Sequence, residues 1–272
     1  MKKILCLCAT VLLAVSASAQ KITIDAESAK KSYGTAFSVT PKDADVKIEK
    51  NTITFTPKKE GTVYQISGYF NGQIVNKTKN TVFKLNNAYI ENTSGEAAIF
   101  GEAKTEISAN EGSKNYLVSG GKIASKSAAV LCKKNLEIGG SGELYVLGSS
   151  SHAIKADDVK LKGSGTFYFQ GTKDGSAINC ENLISEKGKT FTAYFLNSKN
   201  GIKADFTISI ASGNFFFYDN KTALKTDTKK EDPKSPHSIM LSGGTLTLSG
   251  NETFYKTEEK AYKASGAKIV EK

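Results

Sequence analysis

Four aromatic residues could form a binding column. Tyr145, Tyr168, Tyr194 and Phe216 each occupy the middle of a short alternating segment, and they recur at a nearly even spacing along the chain. Alternation along a strand points every second side chain to the same face, so these four are predicted to point outward. Sugar rings pack their C–H faces on aromatic rings, and the column is therefore a candidate carbohydrate site. The alternative is that stacked aromatic rings only stabilise the strands that carry them.

Lysine supplies all of the basic charge in this chain. The 272 residues carry 37 basic side chains and a formal net charge of +10, without a single Arg or Trp. Base and phosphate recognition favours the planar guanidinium group, so nucleic acid is not predicted as a partner. Lys155 and Lys203, on the segments adjoining the aromatic column, are candidate partners for the carboxylates of an acidic sugar. The alternative is a solvated, lysine-rich surface.

The acidic residues predict neither catalysis nor a metal centre. Glycoside hydrolysis needs two carboxylates roughly 5–10 Å apart across the bond, whereas adjacent residues on a strand face opposite sides. Lyase-type elimination usually employs Arg, which is absent. His152 and His237 have no Cys or second His at ligand spacing and are predicted at the surface. No catalytic residue and no cofactor are predicted. The weak candidates for a cation site are Asp157, Asp158, Asp174 and Asp205.

A repeat of constant length must position these side chains. Val130, Ile154, Ile178 and Ile202 follow one another at identical intervals of two dozen positions, and Leu224 comes after a slightly shorter step. Fixed-period similarity of this kind is typical of stacked arrays. We predict an all-β fold, a right-handed parallel β-helix in which each coil takes one such interval. The residues predicted to point inward are Leu144, Val146, Phe167, Phe169, Phe215, Phe217, Leu246 and Leu248.

The two cysteines after the N-terminal leader test this prediction. Cys132 and Cys180 occupy equivalent positions in the repeat, with Ala156 midway between them, so they should lie two coils apart. Two strand spacings amount to roughly 9–10 Å, whereas a disulfide requires its Cα atoms within about 7 Å. Two free, buried thiols are therefore predicted.

The chain is predicted to contain three regions. Residues 1–19 have a positive start, an apolar stretch and an Ala-Ser-Ala end, which is typical of a signal peptide cleaved near Ala19. Residues 20–80, with "KITID" and hairpin-like segments, are predicted to form a β-rich cap and the first coils. Residues 81–272 are predicted to form the β-helix, with a loop insertion at 226–237. No later segment is apolar enough to span a membrane.

Three stretches resemble one bacterial family. They are "GTVYQISGYFNGQIVN" (61–76), "VFKLNNAYIENTSGEAAIF" (82–100) and the repeated "AIKADD" and "GIKAD" units. Over residues 55–265 the chain is similar to exported carbohydrate-binding domains with a right-handed parallel β-helix fold and a pectate-lyase-like architecture. The resemblance implies binding of cellulose or acidic polysaccharides, generally without catalysis, and calcium sites built from aspartates. Those aspartates precede each "GIK" in the family, whereas here Asp174 alone keeps a carboxylate in that position.

Three functions remain open from the sequence. The first is an exported, non-catalytic protein that binds extended or acidic polysaccharide along one face and is periplasmic, cell-surface or secreted. The second is a structural or adhesive surface protein that binds other proteins. The third is a polysaccharide lyase or hydrolase. The sequence does not predict the oligomeric state.

Overall fold

The computed structural model describes residues 22, 24–34, 36–119, 128–227, 237–257 and 261–272. The predicted signal peptide and most of the 226–237 insertion lie outside the described residues. One large, mostly parallel sheet dominates, and its 25 described strands connect into a single open network. No helix in the described ranges is long and apolar enough to cross a membrane.

The elements follow one another as short strands after one brief helix. In chain order they are α1 (Ala26–Lys30), β1 (Phe37–Thr40), β2 (Val46–Glu49), β3 (Thr52–Phe55), β4 (Thr62–Asn71), β5 (Gln73–Asn76), β6 (Thr81–Asn92), β7 (Ile99–Gly101), β8 (Thr105–Ala109), β9 (Lys114–Ser119), β10 (Ala128–Cys132), β11 (Leu136–Gly140), β12 (Glu143–Gly148), β13 (His152–Lys155), β14 (Asp158–Leu161), β15 (Thr166–Gln170), β16 (Ser176–Ser185), β17 (Thr192–Leu196), β18 (Asn200–Ile210), β19 (Asn214–Tyr218), β20 (Thr222–Thr226), β21 (Ser238–Leu241), β22 (Thr245–Ser249), β23 (Thr253–Lys256), β24 (Tyr262–Ala264) and β25 (Lys268–Glu271).

Parallel pairing arranges these strands in three rows. The first row is β3, β5, β7, β10, β13, β16, β18, β20 and β23. The second row is β4, β6, β8, β11, β14, β16, β18, β21 and β24. The third row is β4, β6, β9, β12, β15, β17, β19, β22 and β25. Because β4, β6, β16 and β18 are long, their two halves belong to different rows.

The predicted aliphatic column lies in the first row. Val130 pairs with Ile154, Ile154 with Ile178, Ile178 with Ile202, and Ile202 with Leu224. The same register continues towards the N-terminus, through residues spaced less regularly along the chain: Ile53, Ile74 and Ile99. All eight side chains are inaccessible to solvent. The fixed interval in the sequence therefore marks equivalent positions on neighbouring strands, as predicted.

The third row confirms the predicted alternation. Leu144 pairs with Phe167, and Val146 with Phe169, and all four are buried. The other four predicted inward residues, Phe215, Phe217, Leu246 and Leu248, are buried as well. Gly213 terminates the turn before β19 with φ +94°, and a Cβ there would lie 2.7 Å from the Phe191 ring. A side chain at this turn would therefore be both strained and crowded.

The N-terminal region begins with a short helix in place of a predicted strand. The "KITID" segment is expected to be a strand, but Ile22, Ile24 and Asp25 are not in one. Instead, Asp25 accepts a hydrogen bond from the Ser28 backbone N–H and caps α1. A short polar side chain in this position stabilises the first turn of a helix. The next two strands, β1 and β2, pair antiparallel with β4 and β3.

The two cysteines are free and buried, as predicted. Cys180 pairs with Ala204, whereas Cys132 pairs with Gly101, so the two thiols lie on strands that are not neighbours. Burial raises the pKa of the Cys132 thiol to about 12, and burial also raises the pKa of Cys180. Both thiols should be protonated and unreactive in the folded protein.

The aliphatic column predicts a large difference between two isoleucines. Ile178→Ala should lower the free energy of unfolding by about 2–5 kcal/mol, because it leaves a cavity between two neighbouring strands. Ile184→Ala, on the same strand but 48% exposed, should change it by less than about 0.5 kcal/mol. Urea unfolding followed by circular dichroism measures both, and equal effects would contradict the buried column.

The thiols provide a second test. Ellman's reagent should label neither Cys132 nor Cys180 in the native protein and should label both in denaturant, because burial blocks access and keeps the thiols protonated. Fast labelling of either residue under native conditions would show that its strand is not packed as described.

Candidate functional site

The four predicted aromatic residues form one continuous stack on the outer face of the third row. The ring centroids of Tyr145 and Tyr168 are 4.4 Å apart and their planes differ by 1°. Tyr168 and Tyr194 are 4.8 Å apart at 6°. Tyr194 and Phe216 are 4.8 Å apart at 16°. In-register pairing of β12, β15, β17 and β19 brings these rings together.

The stack continues beyond the predicted residues. Tyr116 lies 4.5 Å from Tyr145 at 5°, and Tyr89 lies 5.3 Å from Tyr116 at 22°. Neither residue is predicted from the sequence, although "NYLV" at 115–118 repeats the pattern of "LYVL" at 144–147. We call the six residues the tyrosine ladder: Tyr89, Tyr116, Tyr145, Tyr168, Tyr194 and Phe216.

The ring faces within the ladder are in contact with one another. Parallel rings 4.4–4.8 Å apart leave no room for a sugar between them. The half-buried ladder side chains therefore present their ring edges and, in the tyrosines, their phenolic oxygens outward. These side chains are Tyr145, Tyr168, Tyr194 and Phe216. The Tyr145 hydroxyl donates to Glu143 Oε2 at 2.6 Å. Burial raises the pKa of Tyr145, and the hydrogen bond to Glu143 raises it further, so the phenol remains a neutral donor.

The predicted lysines lie in the first row, on strands that follow the ladder strands along the chain. Lys155 pairs with Asn179, and Asn179 with Lys203, and this outward column continues to Lys225 and Lys256. We call it the cationic column. Lys203 Nζ lies 3.5 Å from Asp205 Oδ1 and 3.2 Å from Asp227 Oδ2. These two carboxylates offset much of the Lys203 charge.

Two of the four candidate aspartates line one groove. Asp157 and Asp205 border a cavity of about 250 Å³ together with Lys155, Asn179 and Glu181. Glu181 is not predicted from the sequence as a member of this group. Asp158 accepts a hydrogen bond from Asn182 Nδ2 at 2.9 Å, and Asp174 is exposed in the turn before β16.

The part of the chain that the structure describes contains no His, Cys, Asp or Glu cluster arranged to hold a metal ion.

His152, predicted at the surface, is half-buried. Its Nδ1 accepts a hydrogen bond from the Ser176 backbone N–H at 2.8 Å, because the next strand of the first row covers the ring. Burial, together with the charges of Lys155 and Lys203, lowers the pKa of His152 to about 4. The imidazole is therefore neutral at physiological pH. His237 is half-buried, with Nδ1 2.9 Å from the Asp205 carbonyl oxygen.

Comparison with known proteins identifies the family. A family model described as carbohydrate-binding domain-containing protein matches residues 49–185. The chain belongs to this family. The matched region includes the ladder residues Tyr89, Tyr116, Tyr145 and Tyr168 and the predicted Lys155.

One solved structure has a fold similar to that of this chain. It is the polysaccharide lyase-like protein from C. thermocellum, with 18% sequence identity and a TM-score of 0.54. The alignment covers 85% of this chain and 88% of that chain. A search of curated proteins finds no match. At this identity, the likeness is one of fold.

The stacking predicts how Tyr168 responds to substitution. Tyr168→Ala should lower the free energy of unfolding by about 2 kcal/mol or more, because two aromatic pairs worth about 0.5–1.5 kcal/mol each are lost together with buried area. Tyr168→Phe keeps the ring and should change stability by less than about 0.5 kcal/mol. Thermal and urea unfolding compare the two, and a fully stable Ala variant would contradict the ladder.

Proposed function

We propose that this chain is an exported, non-catalytic protein that binds an extended acidic polysaccharide along the tyrosine ladder of a right-handed parallel β-helix. Membership of a carbohydrate-binding family supports a glycan partner. Three rows of in-register parallel strands, each row returning once per coil of the chain, support the coiled architecture. The signal-like residues 1–19 support export.

The ladder is the observation that carries the proposal. Its rungs are spaced like the strands, roughly 4.8 Å apart. A polymer with a short repeat can therefore make the same contact with each successive rung. The hydroxyls of Tyr168 and Tyr194 and the ring edges, rather than the ring faces, would meet the sugar. Hydrogen bonds of this kind orient a ligand and distinguish sugars by the positions of their own hydroxyls.

The preference for an acidic polymer rests on charge. The chain carries a net charge of +10, and its cationic column ends with Lys225 and Lys256 on neighbouring strands. Burial lowers the pKa of Lys225, and repulsion from Lys203 lowers it further. An anionic ligand near this column would relieve that repulsion, and binding should weaken as salt is added.

Affinity electrophoresis in polygalacturonate, pectin and soluble cellulose derivatives at low salt tests the proposal. The wild type should be retarded, most strongly by polygalacturonate. Tyr168→Phe should weaken retardation several-fold because it removes one hydroxyl without disturbing the stack. Tyr255→Phe, an exposed tyrosine in the first row, is the matched control and should behave like the wild type.

Three results would overturn parts of the proposal. Failure of every polymer to retard the wild type would remove carbohydrate binding altogether. Retardation that Tyr168→Phe leaves unchanged would place the glycan elsewhere. Unsaturated products or new reducing ends in the same incubations would show that the protein is an enzyme.

A structural or adhesive role is the second candidate, and the closed ring faces favour it. In this case the ladder stabilises the third row and a partner protein binds another surface. Tyr168→Ala would then lower stability, and no ladder variant would alter binding to any glycan.

A further inference from the structure

Solvent exposure changes abruptly along the tyrosine ladder. Tyr89 is fully buried and Tyr116 is 8% exposed, whereas the side chains from Tyr145 to Phe216 are half-buried. All six rings occupy equivalent outward positions in the third row. The difference in solvent exposure therefore comes from a segment that covers Tyr89 and Tyr116.

That cover is the N-terminal segment 24–34, which we call the strap. Its Tyr33 ring lies 5.4 Å from the Tyr89 ring and 5.9 Å from the Tyr116 ring, tilted by 57° and 79°. The Tyr33 hydroxyl donates to the Lys114 carbonyl oxygen at 2.6 Å, and the Tyr89 hydroxyl donates to the Ala26 carbonyl oxygen at 3.1 Å. Tyr33 thus packs against the outer edges of the ladder rings, where the proposed function places the glycan.

An ion pair fixes the other side of the strap. Lys30 Nζ lies 2.5 Å from Glu91 Oε1, and Tyr69 donates its hydroxyl to the same oxygen at 2.5 Å. The Lys30 ammonium also lies 5.1 Å from the centre of the Tyr69 ring. Glu91 is almost fully buried under this arrangement.

The strap itself is shallowly attached. None of the residues of α1 is buried, and Tyr33 is only half-buried. Among the described residues, it is attached to the sheet by the Tyr33 ring, the Lys30 ion pair, the Lys30 ammonium over the Tyr69 ring and two hydrogen bonds to carbonyl oxygens. The sheet underneath has its own core, which contains Tyr64, Phe83 and Ile90 and does not include the strap. Contacts that are few, polar and peripheral are typical of segments that open without global unfolding.

We propose that the strap is an autoinhibitory cover, which occupies the first rungs of the ladder and shortens the face available to polysaccharide. The inference rests on the proposed function. With the strap closed, the accessible ladder has four rungs, from Tyr145 to Phe216. Release adds Tyr116 and Tyr89, and it uncovers their hydroxyls for the same kind of contact. Long polymers gain from this extension, and short ones do not.

The test uses the full chain with single substitutions in the strap. Tyr33→Ala removes the ring from the ladder, and Lys30→Ala removes the ion pair. Lys31→Ala is the control, because Lys31 is exposed and directly follows Lys30. Nitration by tetranitromethane, mapped by mass spectrometry, should rise several-fold at Tyr116 in the first two variants and remain at the wild-type level in the control.

Binding is then measured against galacturonate oligomers of increasing length. Wild-type affinity should stop rising once an oligomer spans four rungs. In Tyr33→Ala and Lys30→Ala it should continue to rise as the oligomer lengthens over the two uncovered rungs, with affinity for the longest oligomers several-fold above wild type. Lys31→Ala should follow the wild-type curve.

The outcomes separate this inference from the proposed function. Binding by the wild type with identical length curves in all variants, or weaker binding by the strap variants, overturns the strap and leaves the proposed function standing. Failure of the wild type and of the strap variants to bind any oligomer overturns the proposed function and the strap together. Should Tyr33→Ala fail to fold by circular dichroism, Lys30→Ala decides the question, since it leaves the ring in place.

Discussion

In-register pairing of each strand with its equivalent further along the chain is the constraint on which this structure depends. Once Ile154 pairs with Ile178, the register of all the remaining residues on those two strands is fixed as well. Side chains of one kind therefore form columns. The aliphatic column of the first row and the aromatic ladder of the third row are two results of the same register.

Such pairing benefits apolar residues and penalises charged ones. Stacked rings such as Tyr145 and Tyr168 gain contact area at a spacing that the strands already impose. Like charges on neighbouring strands repel each other. The cationic column reduces this cost in two ways: Asn179 separates Lys155 from Lys203, and Asp205 and Asp227 pair with Lys203. Lys225 and Lys256 continue the column at its C-terminal end.

The sequence predicts most of this arrangement where the coil length is constant. Ile154, Ile178 and Ile202 are evenly spaced along the chain, so the period, the buried column and the two free thiols all follow from counting. A constant interval does not predict Tyr89 and Tyr116 as rungs. The sequence separations from Tyr89 to Tyr116 and from Tyr116 to Tyr145 are longer than those between later rungs. Longer turns lengthen these coils without changing the strand register. The partial burial of His152 is not predictable either, because it comes from the strand stacked next to it and not from its neighbours in the chain. The strap is not predicted because α1 is very short and has no apolar stripe.

The central claim is that the exposed rungs of the ladder are the surface that contacts polysaccharide. Hydroxyl-radical footprinting with mass spectrometry, with and without polygalacturonate, tests it most directly, because it reports on each side chain. Oxidation of Tyr145, Tyr168, Tyr194 and Phe216 should fall when the polymer is present. Oxidation of Met240, exposed in the second row, should not change. Unchanged oxidation along the ladder, with protection confined to the second row, would contradict the account.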